Sequence, residues 1–299
     1  MSWGQPYQVL RPSGPLAALD RRRASRPSVV EDAAGTLRMW YAAHDGTTAR
    51  ILEAGQRRGR SWERRSVGVE PGPLGATDAA GVDAPSVVCT DAGFVMAHAG
   101  TDGGGRTRLH LAASPDGHAW SRGTLFPYET AEAVGATDPC LVVTDERWWL
   151  FHGEEDVHDG EPTRILLVTS ADGVAWEPVG PVLGPGAGER GVGEPWVIRT
   201  GSGFTMVFVA EAETGSTVEL ATSGDGLAWE RSGGALDHAR SNHAGRPVRG
   251  PSLLRLRNGH LRLWYSAAGD DEPADRGRLW STDLHGTEMR GLAAPPPAG

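Results

Sequence analysis

One short pattern occurs five times in this chain, and the spacing between its copies leaves few folds open. The fullest copy is Gly193-Glu194-Pro195-Trp196-Val197-Ile198-Arg199. Before it stand Arg26-Pro27-Ser28-Val29-Val30, Asp83-Ala84-Pro85-Ser86-Val87-Val88 and Asp138-Pro139-Cys140-Leu141-Val142-Val143, and after it Gly250-Pro251-Ser252-Leu253-Leu254-Arg255. Successive prolines lie 58, 54, 56 and 56 residues apart. Five copies at that period occupy nearly all of the 299 residues, so the chain reads as one repeat array and not as two unrelated domains.

Each repeat has the same grammar. A proline leads a short β-branched run, apolar on both faces, as a strand buried at the centre of a structure must be. A turn follows, and four of the five turns carry the Gly or Asn that a positive φ favours (Asp32-Ala33-Ala34-Gly35, Asp91-Ala92-Gly93, Thr200-Gly201-Ser202-Gly203 and Arg257-Asn258-Gly259; the fifth is Asp145-Glu146-Arg147). Second strands are expected over 37–43, 94–99, 148–153, 204–210 and 261–267, and third strands include 108–113, 164–169 and 217–222. The third strand ends in a second motif, Ser114-Pro115-Asp116-Gly117-His118-Ala119-Trp120, repeated at Ser170–Trp176 and Ser223–Trp229 and degenerate at Gln56–Trp62. Asp-Gly makes the turn and the serine hydroxyl bonds its backbone. The tryptophan then opens a fourth strand and packs between units, which accounts for 11 Trp against 5 Phe.

The fifth repeat has a turn expected at Ser281–Gly286 but no tryptophan after it. The missing strand is at the other end of the chain, where Trp3-Gly4-Gln5-Pro6-Tyr7-Gln8-Val9-Leu10 matches the run from Trp176 to Leu183. An exchange of this kind removes a free edge by joining the first repeat to the last. The expected fold is all-β, a single five-bladed β-propeller over residues 1–286. Residues 1–12 form the outer strand of the last blade, inner strands start near 27, 85, 139, 195 and 251, and 287–299 form a tail.

Composition excludes several functions. The net charge of −9 and pI near 5.6 argue against a nucleic-acid partner. Two cysteines are no disulfide framework, and Cys89 and Cys140 are expected as small buried hydrophobes in strands. The N-terminus has neither basic nor apolar signal character and no run approaches a membrane span, which predicts a cytoplasmic protein.

In a propeller the inner strands surround one axis, so the residues just before them converge. That ring is Arg26, Asp83 with Ala84, Asp138, Glu194, and Arg249 with Gly250. Carboxylates this close cannot all ionise freely, and one is pushed towards being an acid near neutrality. Two carboxylates across a cleft are what glycoside hydrolysis needs. The proline after Asp138 and after Glu194 is expected to hold each of them extended.

With five such blades, Asp-Pro and Glu-Pro before inner strands and Ser-x-Asp-Gly-x-x-Trp hairpins, nearly the whole chain resembles the arabinanase and β-xylosidase propellers of glycoside hydrolase family 43. The invertase, levansucrase and mannoside phosphorylase propellers are related to these. The resemblance implies Glu194 as general acid and Asp138 as the aspartate that orients the sugar and tunes its partner. At the first blade, where the family carries its base, this chain has Arg26, and a guanidinium cannot accept a proton. Three repairs are open. Asp83 could serve as base, an anion held by Arg26 and Arg249 could be the nucleophile, or the ring could have turned to binding or to other acid chemistry.

Further candidates lie one strand out. The second strands align Tyr41, His98, His152, Val209 and Tyr265, four of which offer a polar tip suited to a pocket. Trp196 flanks Glu194 as an apolar ligand surface. No metal-ligand spacing appears, so no metal and no cofactor are expected. Glu154, Glu155 and Asp156, like Glu211 and Glu213, are expected on the solvated rim, and Gly103-Gly104-Gly105 as flexible loop. The functional expectation is a glycosidase-like enzyme acting on a small sugar-like ligand, neutral or anionic. A non-hydrolytic or purely binding propeller is the alternative.

Overall fold

The computed structural model describes residues 2–10, 14, 16–32, 34–56, 61–121, 124–126, 134–156, 162–201, 203–236, 247–268 and 277–285. The expected tail 287–299, and part of the degenerate hairpin at 57–60, lie outside the described residues. The described residues form strands and no helix, hence no helix long and apolar enough to cross a membrane.

Two short strands come first, β1 (Ser2–Trp3) and β2 (Tyr7–Gln8). The remaining strands make five antiparallel groups. The first is β3 (Arg23–Glu31), β4 (Leu37–His44), β5 (Ala49–Gln56) and β6 (Trp62–Val69). The second is β7 (Gly81–Thr90), β8 (Gly93–Thr101), β9 (Thr107–Ser114) and β10 (Thr124–Leu125). The third is β11 (Val134–Val143), β12 (Trp148–Asp156), β13 (Pro162–Ser170) and β14 (Trp176–Leu183), and the fourth is β15 (Glu189–Thr200), β16 (Gly203–Ala212), β17 (Gly215–Ser223) and β18 (Glu230–Leu236). The last has β19 (Arg249–Arg255), β20 (Leu261–Ala268) and β21 (Gly277–His285). One parallel bridge, Ala49 to Gly81, joins the first two groups into a single eight-stranded sheet.

The last group takes its outer strand from the chain's start. Tyr7 faces Ser281 and Gln8 faces Trp280, Val9 N donates to Leu279 O at 2.8 Å, and Ser2 and Trp3 face His285 and Leu284. Residues 281–285, expected as a turn, are therefore strand, because β1 supplies partners for the extra length.

Burial follows the junctions between groups. First strands touch in the order β3, β7, β11, β15, β19, and β19 touches β3 again. Val30, Trp40 and Ile51 of the first group pack on Val82, Val87 and Met96 of the second. Comparable clusters join the second to the third, the third to the fourth and the fourth to the fifth. A further cluster brings Val9, Leu10, Trp264 and Leu279 against Val29, Met39 and Leu52, across the junction of the last group with the first.

After four of the five recurring prolines the next residue crosses a junction too. Ser28 Oγ accepts from Val87 N at 2.9 Å, Ser86 Oγ from Leu141 N at 2.8 Å, and Cys140 Sγ from Val197 N at 3.1 Å, while Trp196 Nε1 donates to Leu253 O at 2.8 Å. Burial pushes the Cys140 thiol up to about 12. Cys89, by contrast, is exposed and not the buried residue expected, because it lies near the end of β7 where the strand reaches the surface.

The hairpin motif forms as its residues dictate. In the second group Gly117 N donates to Ser114 Oγ at 2.8 Å, His118 N to Asp116 Oδ1 at 2.8 Å, and Trp120 Nε1 back to Gly117 O at 3.0 Å. Trp176 and Trp229 repeat the last bond in their own turns. Trp120 also stands edge-on to Trp40 of the neighbouring group, the inter-unit packing expected of it.

Candidate active site

The ring is built by five β-bulges. Pairing of each first strand with its neighbour breaks between Ser25 and Ser28, Asp83 and Ser86, Thr137 and Cys140, Gly193 and Trp196, and Arg249 and Ser252. Proline has no N–H to give the ladder, so the ladder skips it and the residue before it. That preceding residue is not extended, as expected from its proline neighbour, but left-handed. Its φ is 49° at Arg26, Ala84 and Asp138, 51° at Glu194 and 57° at Gly250. Four non-glycine residues thus hold a conformation that costs about 1–3 kcal/mol each, and a bulge of this kind re-aims a side chain out of the sheet. At the fifth position only glycine fits, since a Cβ on Gly250 would lie 2.7 Å from Arg26 Cα.

The bulges bring Arg26, Asp138 and Glu194 together. Arg26 Nε donates to Asp138 Oδ1, and its Nη2 reaches Glu194 Oε1 at 3.3 Å. Asp83 stands one residue before the ring position, with its Oδ2 3.7 Å from Arg26 Nη1 and 3.1 Å from Arg23 Nη2. Glu194 Oε2 also accepts from Gly250 N at 2.5 Å, and its Oε1 lies 3.7 Å from Arg249 Nη1. Arg249 is shared with Glu211, which is buried and not on a solvated rim. Burial opposes the Arg26 charge, but Asp138, Asp83 and Glu194 outweigh it and push the guanidinium pKa well up. Burial, with the charges of Glu194 and Asp83, raises the Asp138 carboxyl against the pull of Arg26.

Above the ring opens a cavity of about 370 Å³. Its charged lining is Arg23, Arg26, Arg249, Asp138, Glu155 and Glu194, with Ser25, Thr137 and Ser266 adding hydroxyls. The five prolines with Ala84, Gly250 and Trp196 line a second space of only about 20 Å³. Glu155 is the residue that sequence reasoning missed. It lines the cavity, and burial, then the charge of Asp138, pushes its carboxyl up to about 7. Its neighbour Glu154 is buried and bonded to Arg164. The signal that could have found Glu155 is its place at the far end of β12, opposite Gly135 on the strand that carries Asp138.

Several expected ligand residues lie elsewhere. Of the aligned second-strand ring only Val209 reaches the cavity. Tyr41 is buried and donates to Asp20 at 2.8 Å, beside Arg64. Tyr265 belongs to the core between the last two groups. His98 stacks on His110 with ring centres 5.3 Å apart, and burial, then His110, lowers its pKa to about 4. His152 is buried with Nδ1 3.0 Å from Gly153 O. These side chains face the seams between strands because a second strand is covered on both faces. Trp196 lines the smaller space and not the large cavity. Among the described residues no His, Cys, Asp and Glu group has the arrangement to hold a metal.

No family model and no curated protein matches the chain. Solved structures do. BT0996, solved as an RGII complex, superposes with a TM-score of 0.73 at 14% identity, over 99% of this protein and 96% of that one. A thermostable family-43 glycoside hydrolase gives 0.68 at 14% identity, over 92% and 95%. The fold is that of the family-43-like glycoside hydrolases. The α-L-arabinofuranosidase from Lactobacillus brevis shares it as well, with a TM-score of 0.68 at 14% identity over 94% of this protein and 98% of that one. The resemblance read from the repeats therefore holds for the fold, and identities this low leave the chemistry to the side chains present here.

Proposed function

We propose that the chain is a five-bladed propeller latched by its N-terminal strand, with a glycosidase-like pocket that binds one small polyhydroxylated ligand and acts on it by carboxylic-acid chemistry. One observation carries this reading. Asp138 and Glu194 are presented from strained bulges on the floor of a cavity of about 370 Å³, together with serine and threonine hydroxyls. That volume is near the lower end for ligand pockets, about 300–1,000 Å³, and suits a single sugar-sized molecule. Alternating carboxylates and guanidinium groups supply acceptors and donors for neighbouring hydroxyls. The ligand is taken as uncharged, because Arg26 and Arg249 already face Asp83, Asp138, Glu194 and Glu211.

A second reading, binding without hydrolysis, draws support from Arg26 itself. It fills the place where the resemblance calls for a base, and it ties both ring carboxylates. Asp83 does not replace that base readily, since it is held by Arg23 and Arg26 and stands outside the cavity lining.

The test is a panel of nitrophenyl glycosides, with and without phosphate, alongside calorimetry with the corresponding free sugars. Turnover of one member supports the enzyme. Saturable sugar binding without turnover supports the second reading. Neither turnover nor binding across the panel overturns both.

A further inference from the structure

We propose that Glu155, and not Glu194, is the proton donor of this cavity, the side chain that protonates the leaving oxygen of a bound glycoside. The proposal rests on the reading of the cavity as a glycoside site and names the acid within it.

The pairing of the carboxylates carries the argument. The Glu194 carboxylate faces N–H donors, namely Gly250 N, Arg26 and Arg249. Both of its oxygens are therefore engaged by donors of the protein itself. Asp138 is tied to Arg26 and to the Thr137 hydroxyl, and Asp83 to Arg23 and Arg26. Glu155 alone among the described carboxylates of the cavity has no guanidinium within ion-pair distance.

Local structure places it there. Successive side chains of β12 point to opposite faces of the sheet, so Glu154 meets Thr163 and Arg164 while Gly153 and Glu155 line the cavity. Gly135 faces Glu155 across the ladder. A Cβ there would come 3.2 Å from Glu155 Cγ and Oε1, so glycine leaves the carboxyl its room. The charged groups around it are Asp138 from β11, Asp83 from β7 and Arg26 from β3, with a hydrogen bond to Thr107 of β9. Burial and the two negative neighbours favour the protonated acid, Arg26 and Thr107 oppose them, and the balance lies near neutrality.

The step balances with water as the only co-reactant. The Glu155 proton moves to the glycosidic oxygen, and the bond from that oxygen to the anomeric carbon breaks with its electron pair on the oxygen. Water adds to the carbon and gives its proton to the Glu155 carboxylate, which restores the acid.

The experiment compares wild type, Glu155→Gln and Glu194→Gln on two glycosides of the sugar turned over in the panel, one with an alkyl leaving group and one with dinitrophenolate. Wild-type kcat should fall as pH rises through about 7. Glu155→Gln should lower kcat on the alkyl glycoside about 10²–10⁴-fold, with a far smaller loss on the dinitrophenyl glycoside, whose leaving group needs no proton. Glu194→Gln should impair both substrates alike and keep the pH profile. Equal losses on both substrates for Glu155→Gln, or selective loss for Glu194→Gln, overturn the proposal. A thermal melt of each variant separates misfolding from lost chemistry. Infrared spectroscopy tests the acid with no substrate present. A protonated-carboxyl band should be present at pH 6, fade by pH 8 and be missing from Glu155→Gln. Its absence from wild type overturns the proposal while leaving the glycoside reading standing, and failure of wild type to turn over any glycoside overturns the catalytic role together with that reading.

Discussion

Replacing Arg26 with alanine isolates the charge at the centre of this ring. The backbone should tolerate the change, since Ala84 already holds the equivalent left-handed position in the second unit at the same φ of 49°. What disappears is the counter-charge for three carboxylates, two of them nearly enclosed: the side chains of Asp138 and Glu194 are 10% and 8% exposed. Removing one partner of a buried ion pair costs about 3–5 kcal/mol, because the other charge stays desolvated and unpaired. The Arg26 side chain is itself 27% exposed, so water fills part of its place and the lower end, about 3 kcal/mol at pH 7.5, is expected. The pH dependence gives the sharper check. Asp138 is already pushed up in the wild type, and loss of Arg26 pushes it further. The folded variant then binds protons more tightly than the unfolded chain, so its stability rises as pH falls towards 5 and the deficit narrows. Urea unfolding of both proteins at pH 5, 6 and 7.5, at one ionic strength, measures this. A variant within about 0.5 kcal/mol of wild type at pH 7.5, or a deficit that is the same at every pH, would refute the reasoning.

Deleting residues 1–12 should destabilise the whole structure by about 3–6 kcal/mol, because Val9 and Leu10 are each 3% exposed and a buried aliphatic side chain contributes about 1.5–3 kcal/mol; an unchanged melting curve would remove the latch. The thiols should differ sharply towards a maleimide at pH 8. Exposed Cys89 should react in the native protein, and buried Cys140 only after unfolding, so two thiols labelled under native conditions would contradict the placement of Cys140.

The repeat made the all-β strand order legible in the sequence. Proline has no N–H to give a central ladder, Asp-Gly favours a turn, and β-branched runs seek burial on both faces. These are local consequences of residue type, so the strands, the hairpins and the match of Trp3–Leu10 to a missing strand could all be read in order along the chain. The convergence of Arg26, Asp138 and Glu194 was legible for the same reason, since equivalent positions in equivalent repeats come together.

What the tertiary structure decided is the direction and company of each side chain. The residue before each proline turned out left-handed, because the bulge makes the strand re-aim there, and the neighbour rule for proline does not contain the rest of the sheet. Tyr41, His98, His152 and Tyr265 share a position with Val209 in the sequence alignment, yet only Val209 meets the cavity, since the faces of a second strand are claimed by its two neighbours before any ligand arrives. Glu155 looked like one of three acids on a rim. The alternation of faces along β12, and the absence of a side chain on Gly135, put it in the cavity while Glu154 took Arg164. Sequence alone determines which groups the repeats deliver to the ring. Which of those charges is paired, and which is left to carry a proton, depends on distances between strands far apart in the chain.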